Sequence, residues 1–550
     1  MTFIDGVFYS GLCLGVAGLA LRFGPQRAGR GSVEAEPPAG RAHGFISVGV
    51  AFVLFLCLHA VFRAGVQLLQ GGDEYCRVAY AINWARNPYF ATDRHLWLSG
   101  HFIILGALID LFENVRAVVA VTSLLGAMAT VYFGVALARR IWDSDVAGAL
   151  GGCLVGSSWI LLWASTNPQA EAFSFPCFLA GLDSFVAGWG ARAEDAPPGR
   201  LRRSELLFLR SAVWIGIGAS LRYEMWYVGI LLGIFLAARL VLFSLSSRHR
   251  REAWVLALAC LILAAFPAAW AVSCYRWHGS PVAFVRFATE GNAAGNLFYD
   301  LSSPMRRFLV YPMILWQDHW HRLGLAFVGI AFAFSTRKKP AMFFVAIVAL
   351  ILFCSMLVCA KSGVGSNNRA RYSEFLVLPL LCLGAGPLAC LWSGLRGRKM
   401  RAARTLIVCF ILFYAFVSLR QACAGYPNAW GVPVEFLSLI QRLEREHDSS
   451  RYPASLIQIP HKDLEVYSGG SLHETWMAMY HSNYPLKVRE LVHPAQLEER
   501  LRRARKKTHF LVKTPRPDIV FPERAKLLET IGTYELWEVT GSREKDPTVQ

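Results

Sequence analysis

The chain has 550 residues, of which 55% are hydrophobic and only 17% are charged, with a formal net charge of +18; a soluble globular domain carries roughly 25% charged residues. That composition argues against a soluble enzyme. The basic residues argue against a nucleic-acid partner, because they fall in short loops between apolar runs rather than on one patch or tail: Arg139-Arg140, Arg202-Arg203, Arg248 to Arg251, Arg337 to Lys339 and Arg396 to Arg404.

Runs of about 20 apolar residues, each enough to cross roughly 30 Å of hydrocarbon, recur at 3–22, 44–66, 115–138, 146–165, 169–190, 205–221, 223–245, 254–275, 322–336, 341–360, 373–394 and 405–420. The fold class expected is therefore a polytopic α-helical membrane protein with about twelve transmembrane helices. The first run has no basic residue upstream, so it is a poor secretory signal by charge. The thirteen cysteines lie mostly inside the runs, as Cys153, Cys260, Cys354, Cys382 and Cys409 do, where they act as small hydrophobes. No spacing among them resembles a zinc site, and whether Cys76 and Cys423, outside the runs, pair is left open.

Placing the basic loops 23–43, 139–145, 191–204, 246–253, 337–340 and 396–404 in the cytoplasm makes every span alternate. The outer face then receives 67–114, turns near 166–169 and 222, 276–321, 361–372 and everything after 421. Few charged residues are read inside the spans, and no internal repeat of the transporter kind is seen.

Three outer stretches are more than connectors. "HFIILGALIDLFE" at 101–113 is apolar but too short to span, and reads as a helix lying at or re-entering the interface. "VAFVRFATE" at 282–290, after Pro281, reads as a second such helix, and "YPMILWQDHWHR" as an aromatic belt preceding the next span. After Arg420 charges become frequent and apolar runs shorten to strand length, as in "SLIQIP", "THFLVK" and "YELWEV", between amphipathic stretches "VEFLSLIQRLEREH" and "PAQLEERLRRARKK". Two domains are expected: a transmembrane catalytic domain over 1–420 and a small non-cytoplasmic α/β soluble domain over 421–550.

Candidate chemistry gathers on the outer face. In "GGDEYCRV" (71–78), Asp73 and Glu74 open a stretch, "YCRVAYAINWARNPYF", with apolar residues near helical spacing. A solvated acidic loop is the plain reading; the alternative is a pair of carboxylates heading an interfacial helix, favoured there by its dipole and able to serve as general base or to bind a divalent ion. Glu171, in "STNPQAEAF", is either a first-turn acid satisfying the next helix or a second carboxylate in a shared outer cavity. "KSGVGSNNRARYSEF" places Lys361, Arg369 and Arg371 in an outer loop, where basic residues are disfavoured. They either snorkel to headgroups or hold phosphate through forked contacts. Glu224 beside Arg222 reads as a local ion pair. Asp318, His319, His321, His95 and His101 are read as interface anchors before metal ligands, since no H-E-x-x-H spacing occurs.

Carboxylates, an arginine-rich loop and interfacial helices together suit glycosyl transfer from a lipid-linked donor. A nucleotide-sugar donor would call for a cytoplasmic Rossmann-like domain, and no such segment is present. A polysaccharide polymerase or ligase using a diphosphate-linked lipid donor, a lipid or solute transporter, and a non-catalytic scaffold are the alternatives.

The ordered set "DEYCRVAYAINWARNPYF", "HLWLSGHFIILGALIDLFENVRAVVAVTSLLGAMATVYFGVALARR", "NPQAEAF" and "RYSEFLVLPLL" resembles the GT-C glycosyltransferases of the dolichyl-phosphate-mannose protein mannosyltransferase and aminoarabinose transferase type, over most of 44–420. The resemblance implies a GT-C-type fold and an inverting transfer from a polyprenyl-phosphate sugar to an acceptor hydroxyl on lipid, glycan or protein. It implies Asp73 as the acceptor-activating base, Glu74 as its supporting acid, Glu171 as a second outer acid, and Arg371 and Tyr372 near the carrier phosphate with Arg369 and Lys361 close in sequence. Relatives often carry Lys-Pro-Pro before the short apolar helix, the Lys meeting the lipid phosphate; here "RHLWLSGHF" leaves Arg94, His95 or His101 to substitute, or the phosphate to be held elsewhere. A bacterial inner membrane with the site on the periplasmic side is the expected location.

Overall fold

The computed structural model describes residues 40–65, 72–91, 97–191, 203–244, 250–287, 303–362, 369–394 and 397–424, together with strand segments and Glu523 between 465 and 539. The helices are α1 (Gly40–Gly65), α2 (Gly72–Arg86), α3 (Ser99–Phe112), α4 (Val115–Trp142), α5 (Asp145–Gly156), α6 (Trp159–Ala164), α7 (Ala170–Gly190), α8 (Arg203–Ala219), α9 (Glu224–Ser244), α10 (Arg250–His278), α11 (Pro304–Ser335), α12 (Lys339–Ser362), α13 (Arg369–Gly394) and α14 (Gly397–Ala424). Among them α1, α4, α7, α9, α10, α12, α13 and α14 are long and apolar enough to cross a membrane. The chain is an integral membrane protein.

The other four expected spans come out differently. The first lies outside the described residues. That at 205–221 is the 17-residue α8. That at 146–165 is broken into α5 and α6, because Ser158 is extended (φ −64°, ψ 130°) and Ser157 turns its hydroxyl back onto the Cys153 carbonyl at 2.7 Å. The span at 322–336 is the second half of α11, a single 32-residue helix. Its start is fixed by Ser303, which accepts from the Arg306 amide at 3.2 Å, and by Pro304, whose fixed φ and missing N–H suit a first helical turn. "YPMILWQDHWHR" thus lies within α11 rather than before it. Of the second expected interfacial helix only a turn, 283–287, is described.

The interior is built on α7 and α13, whose apolar windows are 89% and 83% buried, against 17% for α9. α4 packs on α7 and α13, α5 on α4 and α13, α8 joins α7 to α9 and α10, and α11 joins α13 to α12. With lipid tails as apolar as the helices, close backbone approach does the packing. The sequence supplies it in "AGALGGCLVG": a Cβ on Gly152 would lie 2.3 Å from Val135 Cγ2 and 2.9 Å from Ala51 Cβ, so only glycine lets α5 sit between α4 and α1. Trp142 closes the same layer by donating from Nε1 to the Cys382 carbonyl of α13 at 3.1 Å.

A few charges do occur within or at the ends of these helices, each paired with one on a neighbouring helix. Arg140 of α4 pairs with Asp183 of α7 (2.6 Å), Arg239 of α9 with Glu205 of α8 (2.8 Å), and Arg322 of α11 with Glu374 of α13 (2.8 Å). Hydropathy averages hide them, and pairing is what makes them tolerable away from water.

In the C-terminal region β1 (Glu465–Ser468), β2 (Val488–Glu490), β3 (Thr508–Lys513), β4 (Ala525–Ile531) and β5 (Tyr534–Val539) form one sheet in the order β2-β1-β3-β5-β4. β1 pairs parallel with β2 and β3, while β5 pairs antiparallel with β3 and β4. "THFLVK" and "YELWEV" are strands as expected; "SLIQIP" and both amphipathic stretches lie outside the described residues.

Candidate active site

At one end of the bundle α2 and α3 form a hairpin. Tyr89 donates to the Tyr80 carbonyl (2.8 Å) and its ring lies 5.3 Å from Phe102 of α3. The hairpin is fixed to the bundle at two points. Glu113 takes a left-handed conformation (φ 52°) and Asn114 then caps α4 by accepting from the Ala117 amide at 3.0 Å, so α3 turns directly into α4. At its other end the Gly100 amide donates to the Ser220 carbonyl (2.9 Å) on the α8–α9 turn. A Cβ on Gly100 would come within 2.1 Å of Ser220 Oγ and 2.6 Å of Ser220 O, so that contact requires glycine.

Asp73 and Glu74 are the second and third residues of α2, the helical placement expected of them. One turn further along, the Arg77 guanidinium lies 4.3 Å from the centroid of Trp97, tying the acid-bearing end of α2 to the approach to α3. Arg94 and His95 lie outside the described residues. His101 is buried, with its ring edge-on to Phe173 of α7 at 5.3 Å, and serves in packing α3 onto α7.

Glu171, expected either as a first-turn acid or as a carboxylate in an outer cavity, is in the first turn of α7 but fully enclosed. Arg222 explains why. Its Nε and Nη2 donate to the Glu224 carboxylate at 3.0 and 2.6 Å, and its Nη1 donates to Glu171. All three groups are buried. The local pair expected of Arg222 and Glu224 is present, but it is two-thirds of a triad joining α7 to the α8–α9 turn on which Gly100 rests. Arg222 was not legible as a partner of Glu171, since the two are 51 residues apart and nothing in either local sequence signals the other.

The basic stretch is described at its two ends. Lys361, exposed, closes α12, and its carbonyl accepts from Arg307 of α11 at 3.2 Å. Residues 363–368 lie outside the described residues; Arg369, Arg371 and Tyr372 occupy the first turn of α13. Arg307 is thus a further basic residue at this rim, missed in the sequence because it precedes what reads as the span. No disulfide joins the described cysteines, Cys76 and Cys423 among them. Among the described residues no group of three His, Cys, Asp or Glu could hold a metal ion.

The fold is that of the GT-C membrane glycosyltransferases. The chain superposes on ArnT from Cupriavidus metallidurans bound to undecaprenyl phosphate with a TM-score of 0.53 and 12% identity, over 91% of this chain and 98% of that one. The apo state of the same protein gives 0.50 and 13%, with the same coverage. The oligosaccharyltransferase of Archaeoglobus fulgidus in its apo form gives 0.49 and 13%; 82% of this chain is covered, which spans 65% of that protein's length. No family model matches the chain, and no curated protein sequence does.

Proposed function

We propose that the protein transfers a sugar from a polyprenyl-phosphate-linked donor in the membrane to an acceptor hydroxyl, with inversion at the anomeric carbon. The observation that carries this reading is a fold shared over 91% of the chain with a protein seen bound to undecaprenyl phosphate, in a chain that sets an Asp-Glu turn at the head of a docked hairpin. In this reading the Asp73 carboxylate takes the proton of the acceptor hydroxyl, with Glu74 in support. The hydroxyl oxygen attacks the anomeric carbon, the bond from that carbon to the phosphate oxygen breaks, and the carrier phosphate leaves with the bonding electrons. Arg371, assisted by Arg369, Tyr372 and Lys361, stabilises the charge on the departing phosphate. Glu171, tied to Arg222, holds the scaffold under the hairpin rather than moving protons.

By the basic loops, this end of the bundle lies on the periplasmic or lumenal side, with 421–550 forming a domain on that same side. The acceptor is a lipid, glycan or protein hydroxyl. The test is release of free polyprenyl phosphate from a lipid-linked sugar by purified protein in the presence of acceptor. Asp73→Asn is expected to lower turnover at least a thousandfold, in the upper range for loss of an acid–base group, at wild-type abundance. Full activity in that variant sinks the mechanism.

A further inference from the structure

Glu374 is fully buried in α13, two residues past Tyr372. Its carboxylate takes both bonds of Arg322 Nη1, at 2.8 and 3.0 Å, and accepts the hydroxyl of Ser158. The neighbouring Ser373 hydroxyl is 2.8 Å from His319 Nε2, and His319 Nδ1 is 3.4 Å from Arg322 Nη1. The Tyr414 ring of α14 lies under the guanidinium, 6.0 Å away. Consecutive residues of α13 are therefore held by residues three apart on α11, and the same carboxylate is held from the break between α5 and α6.

A buried ion pair adds little stability over well-packed apolar side chains, whereas losing one partner is costly. What two adjacent polar rungs do supply is register: a one-residue slide or a rotation of α13 breaks both. The residues whose position depends on that register are the turn immediately before the rungs, Arg369 to Tyr372. The Ser158 bond adds a second direction, since Ser158 immediately precedes α6, which leads into the turn before Glu171, while Phe178 of α7 meets Phe375 of α13 edge-on at 6.0 Å.

We propose that Glu374, Arg322, Ser158 and the His319–Ser373 pair are positioning residues that set the arginine-bearing first turn of α13 against the α6–α7 side of the site, and so set affinity for the carrier phosphate. The assignment of that phosphate rests on the function proposed above. Amides 373–376 close the turns containing Arg369, Arg371 and Tyr372 through i to i−4 bonds, so their hydrogen exchange reports the turn without any turnover. In Glu374→Gln, and in the milder Ser158→Ala should the first not fold, exchange at 373–376 is expected to rise at least tenfold. The Kd for undecaprenyl phosphate in nanodiscs is expected to weaken about tenfold, with donor KM rising in step and kcat within twofold of wild type. Ser47→Ala, which removes a bond of Ser47 to the Asp145 carbonyl at the opposite end of the bundle, is expected to leave all of these unchanged. Unchanged exchange in both variants overturns the positioning role. Raised exchange with unchanged carrier affinity overturns its link to the phosphate. An Arg371→Ala variant that binds carrier as the wild type does counts against the proposed function itself, leaving the register role standing on the exchange data.

Discussion

Arg222 carries more of the candidate site than any single acid. It satisfies two buried carboxylates at once. Replacing it by Met removes the cation that both carboxylates bond to, a loss of about 3–5 kcal/mol for breaking a buried pair, and a marked fall in the detergent unfolding midpoint is expected. Glu171→Gln keeps a hydrogen-bond acceptor facing Arg222, so its midpoint should stay near that of the wild type and transfer should persist. The reverse order of midpoints, or loss of transfer in Glu171→Gln at full stability, assigns Glu171 to the chemistry instead. The sequence showed the acids and their helix-start positions, because those depend on neighbouring residues. It did not show that Glu171 is enclosed, because that depends on a cation on a separate turn.

Among the elements, the α2–α3 hairpin is the least ordinary, since a glycine-to-serine contact at one end of α3 and a cap at the other set its position on the bundle. Gly100→Ala places a methyl group against the Ser220 carbonyl, an obstruction no rotamer change relieves. The expected outcome is a lifted hairpin with an intact bundle: Cys76, buried in α2, should become labelled by maleimide severalfold faster, and transfer should drop without a large change in unfolding midpoint. Unaltered labelling would show the hairpin to be held by its other contacts. Here too legibility follows range. The short apolar helix at 101–113 was evident from its length, and α3 occupies that place. The α5–α6 break and the early start of α11 were not evident, because hydropathy averages over the serines and the proline that decide them.

For the whole molecule, the alternation of apolar runs and basic loops is a property of the full sequence and yields the membrane class, while the GT-C architecture is legible only through the resemblance carried by the ordered motifs. The orientation it implies has its own check. A cysteine placed at Lys339, on the start of α12, should react with a membrane-impermeant reagent only when the cytoplasmic face is opened, and one placed at Glu113 without opening it. The opposite pattern inverts the assignment of sides.

The buried pairs also dictate an order of assembly. Arg322 and Glu374 are 52 residues apart, and Ser158 and Glu374 are 216 apart. During synthesis Ser158 and then Arg322 enter the bilayer well before their shared partner exists. Arg322 heads the short apolar half of α11, and its carboxylate partner is not available until α13 arrives. A nascent chain stopped ahead of residue 369 therefore lacks the group that pairs with this arginine. Such a chain is a natural substrate for membrane quality control, whereas one extended past Glu374 has its charge matched and its helices locked together.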